Sequence, residues 1–388
     1  MTAPQESLPF VIMAKPVGSR CNMHCSYCYY LDKGQFSTHS KQTRMSFGLL
    51  ERLIRQTIES NPGPVVSFTW HGGEPTLAGL EFYEKALELE RKYLPKGWQV
   101  WNNLQTNGLL LNEKWCRFLK ENHFDVGLSV DGDQVTHDAN RRDLSGSPTF
   151  DRVKRAAQRL KSAGIRPDLL CTVNSESLKN PEGVYRALRD LGSGWIQFIP
   201  IVVRMPDGSM APTSVTPQGY GDFLCRVFDL WVREDLGKLD VQLFAEMARI
   251  LAGGAPSLCW MSPTCGRVLI VEEDGGVYAC DHFVDREHRL GDLLTGKLGD
   301  LANTPRQLAF GEAKRSTLTR ECKECPWYQF CGGDCPKDRF SLSQDGEPNH
   351  SFLCQGLKHF FSYATPRLQQ IMEWSRQGKT PSEIMKIL

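Results

Sequence analysis

Two kinds of segment alternate along residues 9–235, and they differ in the spacing of their hydrophobic positions. Short runs rich in branched and aromatic side chains predict strands at 9–15, 64–70, 98–106, 124–130, 166–174 and 195–203. Apolar residues three or four positions apart predict helices at 46–60, 79–94, 112–122, 149–163, 179–191 and 220–235. Six strand–helix units indicate a parallel sheet with right-handed crossovers, two units short of a closed barrel. We therefore expect an α/β fold, a six-stranded partial (β/α)6 TIM-like barrel.

The pattern changes after residue 235, where short segments, glycines and cysteine pairs replace the strand–helix alternation. Residues 267–283 predict a β-hairpin that turns at Asp274–Gly276. The C-terminal stretch is helical in pattern, and Pro366 is expected to kink or break that helix. We expect two domains, a partial barrel over 1–235 and a cysteine-rich domain with terminal helices over 236–388.

Composition and charge are those of an ordinary globular protein. The chain has 388 residues, of which 40% are hydrophobic and 23% charged, and its formal net charge is +1. This charge gives no attraction to nucleic acid or to an anionic membrane. The N-terminus lacks a basic flank followed by an apolar stretch, and the apolar run at 198–203 is far shorter than a membrane span. We predict a cytoplasmic protein with no nucleic-acid or membrane partner.

Fourteen cysteines are many for such a chain, and they are unevenly placed. Three lie within residues 21–28 and eight between 259 and 354. Without a secretion signal, this clustering favours metal binding over disulfides. Cys116, Cys171 and Cys225 fall within predicted helices and a strand, and we expect them to be buried thiols.

The first cysteine motif, Cys21-x3-Cys25-x2-Cys28, lies on a loop directly after the first predicted strand. Three cysteines bind three irons of a four-iron cluster and leave the fourth iron open to another ligand. Two alternatives remain: a zinc site completed by His24 or His39, and an electron-transfer cluster completed by a distant cysteine.

Polar turns follow the next three strands, with HGGEP at 71–75, QTNG at 105–108 and SVDG at 129–132. Each turn alone is an ordinary glycine turn. The carboxyl ends of parallel strands, however, share one edge of the sheet, where α/β proteins bind their ligands. We expect these turns and the first cysteine loop to surround one mouth.

The cysteine loop resembles the signature of the radical S-adenosylmethionine (SAM) superfamily, including the aromatic Tyr27 before the third cysteine. The GGEP turn, with Gly72, Gly73 and Glu74, resembles that superfamily's motif for binding the methionine amino group of SAM. The resemblance implies that SAM chelates the open iron of a [4Fe-4S] cluster. One-electron reduction would then generate a 5′-deoxyadenosyl radical, while the protein orients the cofactor.

The eight C-terminal cysteines form the pattern Cys259-x5-Cys265-x14-Cys280, followed by Cys322-x2-Cys325-x5-Cys331-x3-Cys335-x18-Cys354. Eight thiolates suffice for two four-cysteine clusters, and a pair of zinc ribbons is the alternative. The pattern resembles the SPASM domain, which carries the auxiliary clusters of peptide-modifying radical SAM enzymes. That resemblance implies one [4Fe-4S] cluster on Cys259, Cys265, Cys280 and Cys335. It implies another on Cys322, Cys325, Cys331 and Cys354, hence three clusters in all.

Over nearly its whole length the chain resembles the anaerobic sulfatase-maturating enzymes, from KPVGSRCNMHCSYCYY through GGEPTLAGLEFYE and VYACDHF to CPWYQFCGGDCPKDR. Two departures are His71, where relatives carry glutamine, and Asn103, where they carry serine. The resemblance implies oxidation of an active-site Cys or Ser of a sulfatase to Cα-formylglycine. The implied partners are an unfolded sulfatase or a derived peptide with a C/S-x-P-x-R motif, and a small electron donor such as flavodoxin or ferredoxin.

The resemblance also assigns the catalytic base, Asp281, which follows the predicted cluster ligand Cys280. Burial and the neighbouring thiolates are expected to raise the pKa of this carboxyl group. In the alternatives, Asp281 caps the hairpin or orients a cluster ligand, or His282 is the base.

Three further residues receive roles by the same resemblance. Ser129 and Arg141 match positions that contact SAM, and Arg141 suits a carboxylate, although Arg142 offers the same chemistry. Tyr30 is expected to line the substrate mouth, with a packed aromatic ring as the alternative.

Two other functions compete with this one. A SPASM radical SAM enzyme that forms thioether or carbon–carbon crosslinks in a ribosomal peptide shares every cysteine. Many such enzymes carry an N-terminal leader-recognition domain, and about 20 residues before Cys21 are too few for one. A non-catalytic zinc or ferredoxin-like interaction protein needs no open coordination position and leaves the GGEP turn unexplained.

Overall fold

The structure is a computed structural model that describes residues 9–36 and 43–387. Its strands are β1 (Val11–Ala14), β2 (Val65–Trp70), β3 (Gln99–Thr106), β4 (Asp125–Ser129), β5 (Asp168–Val173), β6 (Trp195–Pro200), β7 (Asp240–Val241), β8 (Val268–Val271), β9 (Gly276–Tyr278) and β10 (Arg289–Asp292). Its first helices are α1 (Phe47–Ser60), α2 (Leu80–Tyr93), α3 (Glu113–Glu121), α4 (Gln134–Asn140), α5 (Phe150–Ser162), α6 (Pro181–Asp190) and α7 (Pro217–Leu230). The remaining helices are α8 (Gln242–Leu251), α9 (Leu298–Ala302), α10 (Pro305–Ser316), α11 (Arg320–Lys323), α12 (Tyr328–Cys331), α13 (Cys354–Arg376) and α14 (Pro381–Ile387).

The described strands form one sheet in the order β10-β9-β8-β1-β2-β3-β4-β5-β6-β7. From β8 to β7 all neighbours are parallel, whereas β8, β9 and β10 pair antiparallel. Strands β1 to β6 confirm the predicted partial barrel. Because β8 pairs in parallel with β1, the sheet continues across the predicted boundary at 235/236. That domain boundary stays a prediction.

The two faces of the sheet have different surroundings. On β2, the side chains of Val66, Phe68 and Trp70 are buried in a core shared with α1 and α2. The alternate positions face the other way, as expected for a strand. On β3 the face turned away from the helices includes Trp101, which is 56% exposed. The helices therefore cover one face of these strands, and the other face is only partly buried.

The C-terminal helix α13 packs along α7 on the outside of the barrel. Two glycines allow this contact, because a Cβ on Gly356 would lie 1.8 Å from the carbonyl oxygen of Pro217 and one on Gly221 would lie 2.6 Å from that of Gly356. Helix α13 continues through Pro366, so the break allowed for there does not occur. Among the described residues, no helix has both the length and the apolar character needed to cross a membrane.

Candidate active site

The first cysteine loop and the turn after β2 are in direct backbone contact. The amide of Gly73 donates to the carbonyl oxygen of Gly18 at 2.9 Å, and that of Glu74 donates to the carbonyl oxygen of Arg20 at 2.9 Å. A Cβ on Gly73 would lie 2.1 Å from that Arg20 oxygen, so a larger residue does not fit. The predicted convergence of these two segments is therefore present in the structure.

Glu74 joins the turns that follow β2 and β3. One carboxylate oxygen accepts from the amide and hydroxyl of Thr76 and from the hydroxyl of Thr106, and the other accepts from the amide of Asn107 at 2.8 Å. Burial raises the pKa of Glu74, and these donors oppose the rise. Because its side chain is fully buried, the backbone of Gly72 and Gly73 is the part of this motif left to face a cofactor. The role of all three residues in SAM binding stays a prediction.

On the side of β4, contacts of Tyr27 and Arg141 hold the cysteine loop in place. The Tyr27 hydroxyl donates to the buried carboxylate of Asp131, which forms an ion pair with Arg141 at 3.0 Å. The guanidinium also lies over the Tyr27 ring. Burial raises the pKa of the Cys25 thiol to about 11, although the nearby Arg141 opposes the rise. Arg141 is thus engaged by protein groups beside the loop, and its contact with a SAM carboxylate stays a prediction.

Polar side chains from β3 and β4 complete this side of the mouth. Ser129 accepts a hydrogen bond from the Gln105 amide at 2.9 Å. The Asn107 amide donates to Asn22 at 2.7 Å and lies 3.6 Å from the sulfur of Cys21. Asn107 therefore orients the first cysteine of the loop.

The spacing of the thiols bears on the zinc alternative. Among the described residues, one set of three metal-ligating side chains has its ligand atoms within 4.8 Å of one another, namely Glu321, His350 and Cys354. No three described cysteine sulfurs are that close. Tetrahedral zinc with Zn–S bonds of about 2.3 Å needs sulfurs about 3.8 Å apart. The thiols as placed are therefore not spaced for a closed zinc site; His24 is exposed, and His39 lies outside the described residues.

One C-terminal thiol set lines a single pocket. The pocket wall includes Cys322, Cys325, Cys331 and Cys354. Burial raises the pKa values of Cys331 and Cys354 to about 12, and the other thiols of the set add to the rise. These four are the cysteines predicted to hold the second auxiliary cluster, and they lie around the same pocket.

The other C-terminal set lies beside the β8–β9 hairpin. Burial raises the pKa of the Cys280 thiol to about 12, and the nearby Cys259 and Cys265 add to the rise. Cys335, the fourth predicted ligand, is also largely buried, and burial raises the pKa of its thiol well above the ordinary value. The remaining thiols, Cys116, Cys171 and Cys225, are buried as predicted.

Asp281 is paired with a buried lysine that the sequence analysis missed. One carboxylate oxygen lies 2.5 Å from the ammonium nitrogen of Lys15, whose side chain is 0% exposed, and the other accepts from the hydroxyl of Tyr29. Burial opposes ionisation of Asp281, but the Lys15 ammonium group outweighs it and holds the pKa of this carboxyl group well below its usual range. The expectation of a raised pKa is therefore wrong, and Asp281 is a carboxylate at neutral pH.

His71, the departure from the family pattern, also contacts Lys15. Its Nδ1 atom lies 3.1 Å from the lysine nitrogen and accepts from the amide of Gly72 at 2.8 Å. Burial, reinforced by Lys15, lowers the pKa of His71 to about 3. His71 is thus a neutral imidazole that helps to hold Lys15 in place.

Tyr29 and Tyr30 face in different directions. Tyr30 is 3% exposed, lies beneath the Lys15 ammonium and donates its hydroxyl to Glu272. Tyr29 is 42% exposed and packs against the ring of His282, with centroids 5.0 Å apart. Tyr30 is thus a packed ring in the structure and Tyr29 lies at the surface, while a substrate contact of Tyr30 stays a prediction. Burial, reinforced by Lys337, lowers the pKa of His282, the rival base, to about 4.

Comparisons with known proteins agree with this geometry. The sequence profile of the Radical SAM superfamily matches residues 16–188, and that of the SPASM iron–sulfur cluster-binding domain matches residues 259–326. The fold and the thiol sets therefore define a radical SAM enzyme with a SPASM domain, whose cofactors are SAM and [4Fe-4S] clusters.

Full-length relatives narrow the class. The chain is 38% identical to the serine-type anaerobic sulfatase-maturating enzyme of Bacteroides thetaiotaomicron, covering 98% of this chain and 95% of the relative. It is 35% identical to the cysteine-type enzyme of Clostridium perfringens, covering 93% and 97%. The solved structure of native anSMEcpe with bound AdoMet and Cp18Cys peptide matches with a TM-score of 0.84 at 36% identity, covering 94% of this chain and 99% of that one. The chain belongs to the anaerobic sulfatase-maturating enzyme family.

Proposed function

We propose that this enzyme oxidises an active-site cysteine or serine of a sulfatase to Cα-formylglycine. The observation that carries the proposal is the single mouth formed by the three-cysteine loop, the GGEP turn and the Asp281 carboxylate, in a chain that matches serine-type and cysteine-type family members over nearly its full length. When bound, SAM and its cluster supply the radical chemistry that removes hydrogen from the target Cβ.

Asp281 is the proposed base for the thiol or hydroxyl proton of the target residue. It is ionised at neutral pH, which is the state that accepts a proton. Lys15 and Tyr29 hold its two oxygens, and the side chain remains 15% exposed. The adjacent Cys280 belongs to the predicted first auxiliary set, so the proton acceptor would lie beside the cluster that would accept the electron.

The target residue is proposed to enter beside Tyr29 and His282. These two rings form the partly exposed edge of the Asp281 site, whereas Tyr30 and Lys15 lie beneath it. An extended peptide with a C/S-x-P-x-R motif fits this open edge better than a folded sulfatase, because the target side chain must pass between ordered groups to reach Asp281. The proposed reductant is a small flavodoxin or ferredoxin, and the proposed location is the cytoplasm.

The test is an anaerobic incubation of the reconstituted enzyme with SAM, a reductant and matched C-x-P-x-R and S-x-P-x-R peptides. The cysteine peptide should exchange one sulfur and two hydrogens for one oxygen, and the serine peptide should lose two hydrogens. The relative rates give the substrate preference. The Cys21, Cys25 and Cys28 triple alanine variant is the control and should neither cleave SAM nor alter either peptide. A crosslinked product that retains sulfur, or no product with intact clusters, would refute the proposal.

A further inference from the structure

Helix α10 lies between Cys280 and Cys322 in the sequence and contains no cysteine. One of its faces is nevertheless both polar and buried. Gln307 and Lys314 are each 1% exposed, and Gly311 between them is also buried. Positions four and three residues apart lie on the same side of a helix. The three residues therefore form one face, here called the α10 polar face.

The first two residues of the α10 polar face hold the segments next to Cys265 and Cys280. The Gln307 amide donates to the carbonyl oxygens of Gly266 at 2.6 Å and Ala279 at 3.3 Å. Gly311 accepts from the Cys265 amide at 3.2 Å, and a Cβ there would lie 2.4 Å from the Cys265 carbonyl oxygen. The helix thus holds both ends of the β8–β9 hairpin, one next to Cys265 and the other next to Cys280.

Lys314 holds a third loop. Its ammonium group donates to the carbonyl oxygens of Cys259 at 2.8 Å, Trp260 at 2.7 Å and Ser262 at 2.5 Å. Three N–H groups are all that an ammonium group has, so the hydrogen bonding of Lys314 is complete. The loop is folded around the ammonium group, which fixes the backbone position of Cys259.

Arg339 connects the same helix to the loop before Cys335. Its guanidinium donates to the carbonyl oxygen of Lys314 at 2.6 Å and to that of Gly333 at 2.7 Å. Further donors reach the carbonyl oxygens of Gly332 and Asp334, each at 3.1 Å. All four segments with the cysteines assigned to the first auxiliary cluster are therefore tied to α10, directly or through Arg339.

These two cations are buried and, among the described residues, form no direct ion pair with a carboxylate. Arg339 is 6% exposed. A buried charge is costly unless an opposite charge compensates it. A cluster ligated by four thiolates carries net negative charge, and this site is where the two cations lie.

We propose that Lys314 is a positioning residue of the first auxiliary cluster, which orders the Cys259 loop and supplies positive charge beside the four thiolates. Gln307 and Gly311 complete the scaffold on the same helix face. The inference rests on the proposed cluster content of the enzyme, and it adds residues that are not cluster ligands.

The experiment compares anaerobically reconstituted wild type with Lys314→Met and Arg315→Met. Arg315 is the next residue on α10 but is exposed and paired with Glu312, so it is a matched control. Wild type and Arg315→Met should each hold about twelve irons, from three four-iron clusters, and Lys314→Met should fall to about eight. Gln307→Met, which removes only the two amide contacts, should release about four irons to a chelator several-fold faster than wild type.

Midpoint potentials separate a loop clamp from a charge effect. If Lys314→Met retains all its iron, an auxiliary cluster should become harder to reduce, with a more negative potential in an EPR-monitored titration, because a buried positive charge stabilises the reduced state. Full iron with unchanged potentials in Lys314→Met, or unchanged iron release in Gln307→Met if Lys314→Met does not fold, would overturn the inference. Wild type that takes up no iron would instead overturn the proposed function.

Discussion

The buried pair of Lys15 and Asp281 should be strongly coupled in stability. Lys15→Met removes the cation 2.5 Å from a carboxylate that is only 15% exposed. One response is protonation of Asp281, which for an ordinary aspartate pKa of about 3.9 costs about 4 kcal/mol at pH 7. This agrees with the roughly 3–5 kcal/mol expected when one partner of a buried ion pair is removed. Lys15→Met should therefore lower the free energy of unfolding by about that amount.

A double-mutant cycle measures this coupling. Denaturant unfolding under anaerobic conditions is compared for wild type, Lys15→Met, Asp281→Asn and the double variant. The double variant leaves neither charge unpaired. Its loss in the free energy of unfolding should therefore be smaller than the sum of the two single losses by about 1–3 kcal/mol. Lys92→Met, which breaks the exposed pair with Glu51, is the control and should cause no measurable change. If the two single losses in unfolding free energy sum to that of the double variant within about 0.5 kcal/mol, the buried pair is refuted.

Three further predictions concern the chemistry at the same mouth. Lys15→Met should raise the pKa of Asp281, so the acid limb of the rate–pH profile should move to higher pH; an unmoved limb would show that Lys15 does not control this carboxylate. Asp281→Asn should abolish formylglycine formation while about twelve irons remain bound, as measured by peptide mass and iron analysis, and full activity would eliminate Asp281 as the base. His71→Gln should retain activity, because the glutamine amide oxygen can accept a hydrogen bond from Lys15. His71→Leu should lower the free energy of unfolding by about 1–3 kcal/mol, as measured by thermal or denaturant unfolding. Equal stability of the two variants would contradict the Lys15–His71 contact.

Much of the fold was predictable because its signals are local. Each of β1 to β6 lies within its predicted segment, since every strand has its own apolar run followed by a helical pattern. Strand β7 was missed because two residues, Asp240–Val241, are too few to show any periodicity. The unbroken helix at Pro366 reflects the packing of α13 against α7, which is a tertiary effect that a local rule for proline does not include.

The electrostatics of the site depended on contacts between distant parts of the chain. Lys15 follows β1, and Asp281 follows the hairpin that begins with β8, so the two meet only because β1 and β8 pair in parallel. That pairing crosses the predicted domain boundary, and no local pattern indicates it. A lysine directly after a buried strand, at the edge where the motifs converge, was the available signal. The different exposures of Tyr29 and Tyr30 were likewise hidden, because loop residues have no fixed alternation.

The most direct test of the central claim follows one hydrogen atom. The enzyme is incubated with SAM, a reductant and a C-x-P-x-R peptide that carries deuterium at the Cβ of the target cysteine. If the radical chemistry acts at that carbon, 5′-deoxyadenosine should acquire deuterium as formylglycine appears, and turnover should slow relative to the unlabelled peptide. Formylglycine without deuterium in the 5′-deoxyadenosine, or labelled 5′-deoxyadenosine with a crosslinked peptide, would contradict the account.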